Sequence, residues 1–125
     1  MISKTTKTIL GAVMAAAVLS TGAHAGDAAA GKKVYNKCRA CHSLDEGGPN
    51  KVGPNLFGVI DREAAKVDGY KYSTALKESG IVWSEEKLTE FLAAPKTIVP
   101  KTKMAFPGLK KPADIENLIA YMKEQ

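Results

Sequence analysis

Cys38, Cys41 and His42 stand together in the stretch KCRACHSLDEGG, and they are the residues of this chain whose types and spacing most directly suggest chemistry. The two cysteines are the only two in the sequence. Thiols three apart, with an imidazole directly after the second, could close a disulfide, supply part of a zinc site, act as a redox thiol pair or hold a haem covalently. Each possibility asks something different of the rest of the chain.

The N-terminus narrows the choice. Lys4 and Lys7 precede an apolar run, ILGAVMAAAVLS, that is too short to span a bilayer, and AHA follows at residues 23–25. A positive region, an apolar region and small residues at the cleavage positions are the order of a secretory signal. Residues 1–25 are therefore expected to be a signal peptide cut after Ala25, and residues 26–125 one small exported domain. The domain keeps 16 of the 18 basic residues and all 13 acidic ones, a net charge of +3. No run of Lys or Arg exceeds two, which argues against a nucleic-acid binder or a polybasic membrane patch. No other segment is apolar enough for stable membrane insertion.

Export removes His24, leaving two Cys and one His, which is short of the four ligands of a structural zinc site. Redox thiol pairs usually follow a strand in a βαβ fold, whereas this pair is expected at the end of a helix in a strandless chain. A disulfide between Cys38 and Cys41 would close so small a loop that it would remove little unfolded-state entropy. Haem attachment fits best. In C-x-x-C-H two thiols reach the two vinyl groups, and the adjacent His is carried beneath the iron. With His24 gone, His42 has no histidine counterpart. Met1 and Met14 leave with the signal, and Met122 lies in the apolar register of a helix. Met104, in a loop bounded by prolines, is left as the expected second iron ligand, a soft thioether that favours ferrous iron.

The elements that must position these groups are helical. Asp27 can cap a helix through AAAGKKVYNKC, with Gly31 and Tyr35 on one face. Ser73 can cap a short helix that Gly80 stops. Ser84, followed by Glu85 and Glu86, starts a helix in which Leu88, Phe91 and Leu92 share a face and which Pro95 ends. Pro112 opens a last helix whose apolar positions Ile115, Leu118, Ile119 and Met122 run i, i+3, i+4, i+7. The stretches EGGPNKVGPNLFG and PKTIVPKTKMAFPG are loops. Such loops in a domain of this size leave a thin core, which a large apolar cofactor would complete.

In this order GKKVYNKCRACHSL, GGPNKVGPNLFGV, GYKYS, GIVW, PKTKMAFPGLKK and NLIAYMK resemble a known family: the class I c-type cytochromes, in the branch of mitochondrial cytochrome c and its α-proteobacterial periplasmic relatives. The resemblance covers residues 27–125. It implies an all-α fold of about four to five helices with Gly/Pro-rich loops around one haem c. It implies thioethers at Cys38 and Cys41 and axial bonds from His42 and Met104. The Pro54 carbonyl would accept from the His42 ring, Arg62, Tyr72 and Trp83 would bond the haem propionates, and Thr102 would support the Met loop. Gly31 and Tyr35 would pack on Leu118 and Tyr121 where the end helices cross. Lys37, Lys51, Lys96, Lys103, Lys110 and Lys111 would ring the exposed haem edge and meet acidic docking patches on membrane redox complexes. Four features depart from the family pattern. Phe91 stands where a Tyr is common, Leu76 where an Asn is common and Lys101 where a Gly is usual, and the first helix is one residue shorter before Cys38.

These readings describe a soluble, monomeric periplasmic electron carrier rather than an enzyme. It would take electrons from a cytochrome bc complex or a dehydrogenase and pass them to a terminal oxidase, a reductase or a reaction centre. The contrasting possibility is a small peroxidase-like haem enzyme or ligand sensor in which Met104 leaves readily.

Overall fold

The computed structural model describes residues 26–125; the expected signal peptide lies outside the described residues. Five helices follow in order: α1 Ala28–Tyr35, α2 Thr74–Lys77, α3 Glu85–Ala93, α4 Pro95–Ile98 and α5 Pro112–Lys123. Among the described residues the only extended pairing is an isolated antiparallel bridge, Glu63 with Val82. It is flanked by Asp61 N–H to Trp83 O and Ala64 N–H to Ile81 O, both 2.8 Å. The all-α fold expected from the sequence is the one observed.

Local chemistry sets the helix ends. The Asp27 carboxylate accepts from Ala29 and Ala30 N–H, Ser73 Oγ from Leu76 N–H, and Ser84 Oγ from Lys87 N–H. Each cap satisfies a donor that the first helical turn leaves unpaired. Two expectations need correction. Helix α1 stops at Tyr35 rather than running to Cys38, and tight turns carry the chain from there to the cysteines. Pro95 does more than end α3: it opens α4, where its fixed φ suits a first turn and its missing N–H leaves no donor unpaired.

Helices α1 and α5 cross at very short range. A Cβ on Gly31 would collide with the Asn117 carbonyl and lie 2.8 Å from Tyr121 Cβ, so only glycine admits this approach. Beside it the Tyr35 and Tyr121 rings pack 5.7 Å apart. Asp27 N–H donates to Asn117 Oδ1 at 2.8 Å, fastening the start of α1 to the middle of α5. Ile115, Leu118, Ile119 and Met122 are all buried, as their periodicity predicts. This corner fixes where α1 ends and hence where Cys38 begins.

Candidate functional site

A cavity of about 270 Å³ is lined by the turn after α1, the Gly/Pro loop that follows, one face of α3 and the loop after α4. It takes in Cys38, Cys41, His42, Pro54, Arg62, Tyr72, Trp83, Thr102 and Met104, residues spread over more than half of the chain. Leu56, Val59, Leu88, Phe91, Leu92 and Leu118 supply much of its apolar wall.

The attachment segment is a wound turn. Cys41 N–H and His42 N–H both donate to the Cys38 carbonyl, at 3.0 and 2.9 Å, and this brings all three side chains to the same cavity. Cys38 is half-buried and Cys41 exposed, and no disulfide joins them. Burial pushes the Cys38 thiol up, against the opposing pull of Lys37 and with a further push from Cys41.

His42 is held from several sides. Its Nδ1 lies 2.7 Å from the Pro54 carbonyl. A carbonyl can only accept, so Nδ1 carries the proton and Nε2 keeps its lone pair. Burial holds the imidazole below its ordinary pKa, with the Pro54 carbonyl opposing and Lys51 adding to the lowering. The ring is thus held as a neutral imidazole with the Nε2 lone pair available. Gly53 lies flat against it: a Cβ there would clash with Cε1 and sit 2.6 Å from Nδ1.

Met104 is half-buried on the same cavity, and its N–H donates to Thr102 Oγ1 at 3.3 Å. Just before this turn Lys101 has φ 64°. That is left-handed backbone, which glycine adopts at no steric cost, and it explains physically why a glycine would be usual there. Asp61 and Ala65 also have positive φ; a short polar side chain such as that of Asp61 tolerates this backbone, whereas nothing in Ala65 announces it.

Three donors border the cavity with capacity to spare. Arg62 spends two N–H groups on main chain, Nη1 to Phe57 O at 2.8 Å and Nη2 to Asn55 O at 3.4 Å, which leaves three of its five. The Tyr72 hydroxyl accepts from Val67 N–H at 3.0 Å and keeps its own proton to donate; burial raises its pKa. The indole N–H of buried Trp83 donates to no protein group among the described residues. No sealed side-chain polar atom lacks a partner among the described residues, so its indole N–H opens onto the cavity. An apolar hollow with two cysteine side chains, a neutral imidazole, a thioether and three spare donors fits a haem with its anionic edge groups.

Of the six lysines, all exposed, Lys37 and Lys103 line this cavity. Lys51 precedes Val52 and Gly53, which line it. Lys96 and Lys110 border a neighbouring cleft that shares Phe106 with it. Lys111, at the start of α5, lines neither.

Some contributors are absent from the sequence reading. Buried Asn55 is a hub: its side chain donates to Ser43 Oγ and Asp45 O and accepts from Phe57 N–H. Tyr70 sits edge-on to Tyr72 at 4.7 Å and donates to Val52 O at 2.7 Å. The Tyr35 hydroxyl reaches the His42 carbonyl at 3.1 Å. Only a loop signal, the run VGPNLFG, pointed toward Gly53 and Asn55.

This architecture defines a c-type haem protein. The family model described as Cytochrome c matches residues 28–125. Cytochrome c-550 of Nitrobacter winogradskyi is 48% identical over 99 residues, 79% of this chain and 91% of that protein. Cytochrome c2 of Afifella marina is 50% identical over 98 residues, 76% of this chain and 79% of that one. Cytochrome cH from Methylobacterium extorquens has the same fold, with a TM-score of 0.76 at 46% identity over 80% of this chain and 100% of its own. The chain belongs to the cytochrome c family: it is a haem electron carrier, and its cofactor is a covalently attached haem c.

Proposed function

We propose that this protein is a soluble, monomeric periplasmic shuttle for single electrons, exported by residues 1–25 and released after Ala25. Cys38 and Cys41 form the two thioethers, and His42 and Met104 are the two axial ligands. The observation that carries this reading is the convergence of His42, its Nε2 lone pair free, and Met104 on one cavity with both thiols.

The bound haem iron supplies a reversible one-electron couple, tuned by its axial ligands. The chain's own residues do the rest. Pro54 fixes the His42 ring and tautomer. Arg62, Tyr72 and Trp83 would offer their remaining donors to the propionates. Thr102 tethers the Met104 main chain. Held by His42 Nε2 and the Met104 thioether, the iron would keep no open site for substrate, which favours electron transfer over oxygen or peroxide chemistry. The exposed lysines steer the protein toward acidic patches on membrane redox complexes in fast, weak, salt-sensitive encounters. Val52, 77% exposed beside Lys51 and at the cavity, offers an apolar contact within that basic surface.

The test is the ferric absorption spectrum of protein matured in a periplasm with haem-attachment machinery, with and without cyanide. A Met–iron charge-transfer band that yields only slowly to cyanide supports the closed carrier. Absence of the band, or rapid cyanide uptake, would place the protein with the haem enzymes or ligand sensors and remove Met104 from its role.

A further inference from the structure

Every polar atom of His42 except Nε2 has a partner. Its N–H donates to the Cys38 carbonyl at 2.9 Å, its Nδ1–H to the Pro54 carbonyl at 2.7 Å, and its own carbonyl accepts from Tyr35 OH at 3.1 Å. The last partner is unusual in its reach. The Tyr35 carbonyl accepts from Cys38 N–H at 2.8 Å and from Arg39 N–H at 3.1 Å, at the start of the attachment turn. The hydroxyl of the same residue holds the carbonyl at its end. One residue therefore spans the turn from entry to exit, its carbonyl at one end and its hydroxyl at the other.

We propose that Tyr35 is a positioning residue for the haem-ligating histidine: a clamp that closes the Cys38–His42 turn and sets the plane of the His42 peptide, and through it the orientation of the imidazole. The inference rests on the reading of His42 as an axial ligand. Tyr35 is well placed for it. The residue is buried, and its ring packs 5.7 Å from Tyr121 on α5, so the clamp is braced by the α1–α5 crossing. Phenylalanine would fill the same space and pack the same way without the bond. Burial also pushes the Tyr35 pKa up to about 12, with lesser contributions from Cys38, Tyr121 and Asp45.

The experiment compares Tyr35→Phe with wild type in the haem-loaded protein and uses Tyr121→Phe as control, since among the described residues the Tyr121 hydroxyl makes no hydrogen bond. Two readouts are taken. Amide hydrogen exchange should quicken about fivefold at Cys41 and His42, the equivalent of one lost hydrogen bond, while the α1–α5 amides stay protected. The paramagnetic NMR pattern of the haem methyl groups, which reports the azimuth of the axial imidazole plane, should change in Tyr35→Phe and not in Tyr121→Phe. Unchanged exchange at residues 38–42 with an unchanged methyl pattern overturns the clamp. So does exchange that quickens equally across α1 and α5, because Tyr35 would then be a packing residue only. If the wild-type ferric protein lacks a low-spin His/Met signature, the ligand reading fails instead, and the exchange data still show whether the clamp exists.

Discussion

Gly53→Ala is the most discriminating single change in this protein. A side chain of one carbon at position 53 would enter the face of the His42 ring, 2.6 Å from Nδ1 and 2.8 Å from Nε2. Carbon and nitrogen pack comfortably at about 3.5 Å, so something must move by about 1 Å. Gly53 has no positive φ to complicate the substitution, so the cost comes from contact alone. The backbone is tied down: Gly53 N–H donates to Cys41 O at 2.7 Å, and Lys51 N–H to Gly53 O at 2.9 Å. The ring is tied to the next residue, Pro54, at 2.7 Å. Shifting either partner by 1 Å breaks the Nδ1 hydrogen bond. Overpacking costs about 1–3 kcal/mol and the lost bond about 1 kcal/mol, together about 2–4 kcal/mol. In a domain of this size that lowers the melting temperature by on the order of 10–25 °C.

The assay is thermal unfolding of the haem-loaded protein followed at the haem absorption, with the ferric spectrum recorded alongside. Gly58→Ala is the control. Position 58 opens onto free space but has φ +65°, so it carries a backbone cost of about 1–2 kcal/mol without touching the histidine. Gly53→Ala should be the less stable of the two and should alone perturb the ferric spectrum. A Gly53→Ala protein that melts within a few degrees of wild type and keeps its spectrum would refute the claim that Gly53 is there to seat the imidazole.

Replacing Lys101 with Gly should stabilise the fold by about 0.5–1 kcal/mol in urea titration, because relief of the left-handed strain at φ 64° exceeds the added chain entropy of glycine; a loss of stability would show that the lysine side chain makes a compensating contact. Asn55→Ala should cost about 2–3 kcal/mol in the same titration, since Phe57 N–H loses its acceptor and Ser43 and Asp45 lose their shared donor. Met104→Ala should abolish the Met–iron band and admit cyanide rapidly; an unchanged ferric spectrum would remove Met104 as a ligand.

How much of this is legible in the sequence depends on whether the signal is local. The caps at Asp27, Ser73 and Ser84 and the apolar register of α5 are local, and each lies where its residues predicted. The end of α1 is not local. NKC has no helix breaker, and the winding tightens there because the N–H groups of Asn36, Lys37 and Cys38 bond three residues back, to Lys33, Val34 and Tyr35 O. The start of α4 was missed because a four-residue helix has no periodicity to read. The site divides in the same way. The C-x-x-C-H spacing and the isolation of Met104 are properties of the string. The hub at Asn55, the hydroxyl of Tyr35 and the flat face of Gly53 matter only through groups that folding brings beside them.

The distribution of glycine carries this point further. Gly31 and Gly53 are required because another part of the chain comes too close: the Asn117 carbonyl in one case, the His42 ring in the other. At Lys101 the backbone itself asks for glycine and the chain supplies lysine. The two kinds of requirement have different consequences. A steric requirement cannot be relaxed without displacing the His42 ring or splitting a helix pair. A dihedral requirement costs roughly 1–2 kcal/mol, which a stable fold absorbs. The glycines that seat His42 and join α1 to α5 are therefore the fixed points of this molecule. The loop that carries Met104 meets both kinds of requirement: at Lys101 the backbone bears a lysine at a cost, whereas at Gly108, φ 108°, a Cβ would also collide with the Ala93 carbonyl, so glycine is fixed there as well.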